Sequence, residues 1–158
     1  MEQRAIQLII ENLWWVIPTK LAGVRKPMAE ELNELQTAGI GAIVSVINDT
    51  SNLALYEQAN IPYLWLPIDI GGSPSREQIQ ELQNFVDQHN RQGLGVAVHC
   101  TGGIHRTGTI LAAYLICSGS SYNDAMQTIE KANSLVVLED QQVRFLRSLS
   151  DGKSSQND

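Results

Sequence analysis

Cysteine is scarce in this chain: 158 residues contain only Cys100 and Cys117. Two thiols cannot build a disulfide framework, which favours a reduced, cytoplasmic setting and leaves either sulfur available for chemistry. Basic residues are outnumbered too, 11 Lys and Arg against 17 Asp and Glu, for a net charge of −6. A broad cationic face is what binds a polyanion through counterion release, so nucleic acid is a poor partner and any anion site must be local. No apolar run reaches the roughly 20 residues that span a bilayer, and no membrane association is expected. The first 13 residues mix Glu2, Arg4 and Glu11 with apolar side chains and lack the cationic head and small-residue cleavage site of an export signal. Repeats, low-complexity tracts and interdomain linkers are also missing. One domain over residues 1–150, ending in a polar, flexible tail at 151–158, is the expected organisation.

What is present is a strand and helix alternation. Residues 42–47, 61–66 and 94–98 are short apolar runs that read as strands buried on both faces. Residues 75–92 read as a helix. Pro74 precedes it, Ser75 and Gln78 form a capping-box pair, Ile79, Leu82, Phe85 and Val86 recur at helical spacing, and Gly93 stops it. Residues 27–38 repeat the pattern, with Pro27 in the first turn and Gly39 just past the end. Beyond Cys100 the chain reads as helical at 106–117, 122–132 and 139–149. Such an order predicts an α/β fold with a mostly parallel sheet and right-handed crossovers.

The segment from Gly95 to Gly108 passes from a strand, through a loop bearing Gly102 and Gly103, into a helix. A loop at a helix N-terminus turns successive backbone N–H groups toward one anion, and the helix dipole adds positive potential there. The backbone of Thr101, Gly102, Gly103, Ile104 and His105 is therefore the expected phosphate cradle, with glycine allowing close approach. Arg106 follows Cys100 by six positions, and its planar guanidinium can hold two phosphate oxygens at once. The same field lowers thiol pKa values to about 3.5–7.5 at such positions, so Cys100 is expected to be a thiolate nucleophile. Thr107 offers a hydroxyl that eases departure of the sulfur. A leaving oxygen needs a proton, and Asp69 is the candidate acid. It lies just past one strand, as Cys100 lies past another, and sites in open α/β sheets form beyond the carboxyl ends of strands. Gly71, Gly72, Ser73 and Pro74 make its surroundings a loop. No cofactor and no metal is called for.

His99, Cys100, five residues, then Arg106, Thr107 and Gly108 resembles the signature of the protein tyrosine phosphatase superfamily. From about residue 12 to 149, including Trp15 to Gly23 and Gly95 to Tyr114, the chain is similar to the small atypical dual-specificity phosphatases of the VHZ type. The resemblance implies a four- or five-stranded sheet flanked by helices. It also implies metal-independent hydrolysis of phosphotyrosine, and sometimes of phosphoserine or phosphothreonine, by a monomer acting on phosphorylated protein or peptide. Cys100 takes the nucleophile's place, Arg106 the phosphate clamp's, Asp69 the general acid's and Thr107 that of the assisting hydroxyl. His99 takes the place of a histidine that supports the loop by hydrogen bonding. Ile70, Gly71 and Gly72 stand where the family tends to place proline and aromatic residues.

Other readings compete. A phosphate-binding module without turnover needs neither thiolate nor acid, and sulfur transfer from a persulfidated Cys100 does not account for Thr107 and Gly108. Action on inositol phosphates or phosphoinositides is the alternative within the phosphatase reading. Cys117 is expected as a packed core thiol, His89 as a solvated or dipole-favoured residue near a helix end rather than a ligand, and Trp14, Trp15 and Trp65 as core side chains. Glu139, Asp140, Gln141 and Gln142 open the last helix, where acid suits the dipole. A water-positioning role for Gln141 or Gln142 is the lesser reading there.

Overall fold

The computed structural model describes residues 8–102 and 104–156. Five strands form one sheet in the order β1-β2-β5-β3-β4. β1 (Trp14–Ile17) and β2 (Leu21–Val24) make an antiparallel hairpin. β2 then runs parallel to β5 (Gly95–His99), β5 parallel to β3 (Ile40–Ser45), and β3 parallel to β4 (Tyr63–Trp65). The mostly parallel sheet follows from the crossovers. α1 (Leu32–Thr37) precedes β3, α2 (Leu53–Gln58) links β3 to β4, and α3 (Arg76–Arg91) links β4 to β5. α4 (His105–Cys117), α5 (Tyr122–Ala132) and α6 (Asp140–Gln156) complete the chain.

Central β5 is buried at every position because helices cover both faces of the sheet. Its side chains alternate between two cores. Val96 and Val98, with Cys100 beyond them, pack with Ile79 and Leu82 of α3, Ile110 and Leu111 of α4, and Leu146 of α6. Ala97 packs on the opposite face with Leu35 of α1 and Tyr56 of α2. That alternation is the period of two in a strand, and it sends His99 and Cys100 to opposite faces.

The helix predicted at 75–92 is α3, with Ser75 and Gln78 exchanging both capping-box hydrogen bonds at 3.0 Å. Residues 27–38 are less regular: a 3-10 turn at Ala29–Glu31 leads into the six-residue α1. The run at 61–66 is not buried on both faces. β4 is the edge of the sheet, and Trp65 is 37% exposed with its indole donating to the Ile47 carbonyl at 2.7 Å. Cys117 is exposed rather than a core thiol, because it is the last residue of α4 and falls outside the face that packs. His89 is buried, not solvated; its Nδ1 lies 2.8 Å from the Phe85 carbonyl and its ring against that of Phe85. The final helix extends past Leu149 to Gln156, into the expected tail, whose last two residues lie outside the described set. No helix of the described residues is long and apolar enough to cross a membrane.

Candidate active site

The four mutually parallel strands end at the same edge of the sheet, and the loops after them are tied together there. The backbone N–H of Lys26 donates to the Thr101 carbonyl at 3.3 Å, that of Val46 to His99 at 2.9 Å, and that of Ile68 to Val46 at 3.0 Å. Cys100 leaves β5 in the middle of this edge.

A pocket of about 380 Å³ opens there. Cys100, Thr101, Gly102, Ile104, His105 and Arg106 line one side; Ile70, Gly71 and Glu139 line the other. Cys100 is only 3% exposed, at the pocket's floor. α4 begins at His105, and its N-cap residue Ile104 offers no side-chain cap to the leading N–H groups, which at a helix start are suited to an anion. Arg106, on the first turn, is 7% exposed and points inward. Its guanidinium donates to the Ile68 carbonyl at 3.1 Å and to the Thr101 hydroxyl at 3.3 Å. A buried cation is thus held in orientation by neutral acceptors, next to the thiol and one residue from Asp69. Thr107 Oγ1 is buried on the same turn and makes no hydrogen bond among the described residues. A buried hydroxyl in that condition is costly until a partner engages it.

A Cβ at Gly102 would meet nothing within 4 Å, so the protein's own packing does not demand glycine there. At Gly108 a Cβ would come 2.8 Å from Val136 Cγ1, so this glycine lets the segment before α6 close onto α4. Gly103 lies outside the described residues.

Behind the loop, His99 is fully buried. Its Nδ1 is 3.1 Å from the Cys100 carbonyl and its Nε2 2.7 Å from the Tyr56 hydroxyl. A carbonyl only accepts, so Nδ1 carries the proton and Tyr56 donates to Nε2. The Asn52 side-chain amide donates to Tyr56 at 2.6 Å and to the Pro27 carbonyl at 3.1 Å. Burial, with the positive charges of Lys26 and Arg106 adding to it, pushes the His99 pKa down to about 4 against the pull of its bond to Cys100. Burial likewise pushes Tyr56 up. Both stay neutral near pH 7, which is the state this network requires.

Asp69 is exposed at the pocket's rim, with Oδ1 accepting from the Asn48 amide at 3.1 Å. It does not line the pocket, although Ile70 and Gly71 do. The lining carboxylate is that of Glu139, whose oxygens would stand 3.2 Å from a Cβ at Gly71. In the sequence, Glu139 reads only as an acid suited to the helix dipole. Tyr56, Asn52 and Asn48 carried no sequence signal, since each acts through a contact made by folding. Of the predicted residues, Cys100, Thr101, Gly102, Ile104, His105 and Arg106 come together around one pocket; His99 and Thr107 sit behind it, and Asp69 beside it.

The family description "Tc-R-P: Polymorphic toxin system, DSP-PTPase phosphatase" matches residues 18–120. Protein tyrosine phosphatase type IVA 2 of Mus musculus is 33% identical over 132 residues, which is 80% of this chain and 75% of that protein. The crystal structure of Tk-PTP in the active form aligns with a TM-score of 0.79 at 27% identity, covering 89% of this chain and 97% of that one. PTPMT1 in complex with PI(5)P aligns at 0.77 with 20% identity, covering 90% and 97%, a likeness of fold. With its fold, its cysteine loop and these relatives in agreement, the chain belongs to the protein tyrosine phosphatase superfamily, on its atypical dual-specificity branch, and is a cysteine-dependent phosphatase.

Proposed function

We propose that the chain hydrolyses phosphorylated protein or peptide through a phosphocysteine at Cys100, with phosphotyrosine as the default substrate, without a metal, as a cytoplasmic monomer. The observation that carries this reading is the shared pocket of Cys100 and Arg106 at the N-terminal end of α4. The Cys100 thiolate attacks phosphorus, an S–P bond forms as the P–O bond to the leaving group breaks, and Asp69 gives that oxygen a proton. Backbone N–H groups of Thr101 to His105 and the Arg106 guanidinium hold the three equatorial oxygens as charge shifts among them. Water then attacks phosphorus, Asp69 takes its proton, and the S–P bond breaks to release inorganic phosphate and thiolate. Thr107, whose buried hydroxyl has no partner among the described residues, supports that departure. His99 holds the Cys100 carbonyl throughout.

Turnover of p-nitrophenyl phosphate in the presence of a chelator, abolished by Cys100→Ser, is the expected result. An intact protein with no turnover between about pH 5 and 7, where a depressed thiol is ionised, would make this a phosphate-binding module instead. A second reading, action on phosphoinositides or inositol phosphates, draws support from the fold shared with the PI(5)P complex of PTPMT1. A matched panel of phosphopeptides and phosphoinositides separates the two.

A further inference from the structure

The loop that carries Asp69 is fastened to the start of α6 by side chains 70 residues further along the chain. Gln142 is fully buried. Its Oε1 accepts from the Glu139 backbone N–H at 2.9 Å, and its Nε2 donates to the Gly72 carbonyl at 3.1 Å. Gln141, exposed beside it, donates to the Gly71 carbonyl. The turn they grip is closed by the Gly72 N–H donating to the Asp69 carbonyl at 2.8 Å, with Gly71 at φ +77 where other residues are strained. Both ends of the Gln142 amide are therefore engaged with backbone. One buried amide spans two carboxyl-bearing segments beside the pocket, the Asp69 turn and the Glu139 helix start.

We propose that Gln142 is a positioning residue that sets the reach of the Asp69 loop toward Cys100, with Gln141 as its exposed second tie. This rests on Asp69 acting as the general acid. A short loop with two glycines has many alternative arrangements, and the ties select one. Proton transfer responds steeply to placement, because an error near 1 Å in a reacting group costs about 10²-fold in rate.

The test uses the full chain with Gln142→Met, which keeps the length and loses both hydrogen bonds, and with Gln141→Ala at the exposed tie. Their kcat/KM is measured over phosphomonoesters running from activated aryl to poor alkyl leaving groups. Gln142→Met is expected to lose about tenfold to hundredfold with the poorest leaving group and little with the most activated one. Competitive inhibition by inorganic phosphate is expected to stay unchanged. In an Asp69→Ala background the Gln142→Met loss is expected to vanish, since a residue acting through another is not additive with it. A loss equal across all leaving groups, or one that adds in full to that of Asp69→Ala, overturns the proposal. Should Gln142→Met not fold, Gln141→Ala carries the test: a loss of about twofold to tenfold confined to poor leaving groups supports it, and a uniform loss or none overturns it. The acid assignment fails separately, if Asp69→Ala alone shows no dependence on leaving group, and the positioning role then falls with it.

Discussion

The Tyr56 hydroxyl lies 2.7 Å from His99 Nε2, in a fully buried contact between α2 and the last residue of the central strand. The Cys100 carbonyl fixes the proton on Nδ1, and the Tyr56 hydroxyl satisfies the lone pair this leaves on Nε2.

Tyr56→Phe removes the donor to Nε2 and leaves a buried acceptor unsatisfied, at a cost of about 1–3 kcal/mol in urea denaturation. The ring keeps its Nδ1 proton on the Cys100 carbonyl but loses the contact that holds its far side in place. The pH midpoint for alkylation of Cys100 by iodoacetate is expected to rise. A variant with reduced stability and an unmoved midpoint would show that Tyr56 only packs.

His99 also links stability to pH. Its folded-state pKa, about 4, lies below the ordinary value of 6.5. Between these values the unfolded chain binds a proton at this site and the folded chain does not. The contribution is therefore complete above about pH 6.5 and is lost as pH falls toward 4, with a slope of up to ~1.4 kcal/mol per pH unit. Urea midpoints across this range should fall on acidification in the wild type and fall less in His99→Gln. Parallel profiles for the two proteins would contradict the assignment.

Glu139 lines the pocket, and Asp69 stands beside it on the turn that carries the lining residues Ile70 and Gly71. Asp69→Ala is expected to lose roughly 10² to 10⁴ in turnover with poor leaving groups and less with activated ones. For Glu139→Gln the expected loss stays within about tenfold for either class. A leaving-group-dependent loss in Glu139→Gln, with equal losses for both substrate classes in Asp69→Ala, would transfer the acid role to Glu139.

Packing beneath the site gives a prediction independent of chemistry. Gly108→Ala places a Cβ 2.8 Å from Val136 Cγ1, and overpacking of this kind costs about 1–3 kcal/mol. Val136→Ala in the same chain should recover part of the loss, measured by urea denaturation. An additive double variant would mean the two residues do not compete for the same space.

The phosphate loop was legible in the chain because its chemistry is local. Cys100, the loop and Arg106 are contiguous, and a strand that enters and a helix that leaves are enough to set their geometry. α3 was legible for the same reason, since Ser75 and Gln78 cap it without help from elsewhere. The β1-β2 hairpin and α2 gave no such signal. Their elements are four and six residues long, and α2 follows a polar stretch with turn-like composition. Edge-strand β4 read as fully buried because apolar residues on one side of a sheet do not reveal that no strand lies beyond.

By itself, then, the sequence marked out the candidate nucleophile Cys100, the candidate clamp Arg106 and the alternating order of strands and helices, all of which depend on neighbours a few positions apart. Only the tertiary structure decided that Tyr56 and Asn52 hold His99, that Arg106 bonds to Ile68, that Glu139 lines the pocket, and that Gln141 and Gln142 grip the Asp69 turn. Those contacts join segments far apart in the chain, and a hydrogen bond between distant partners leaves no trace in the composition or spacing of either one.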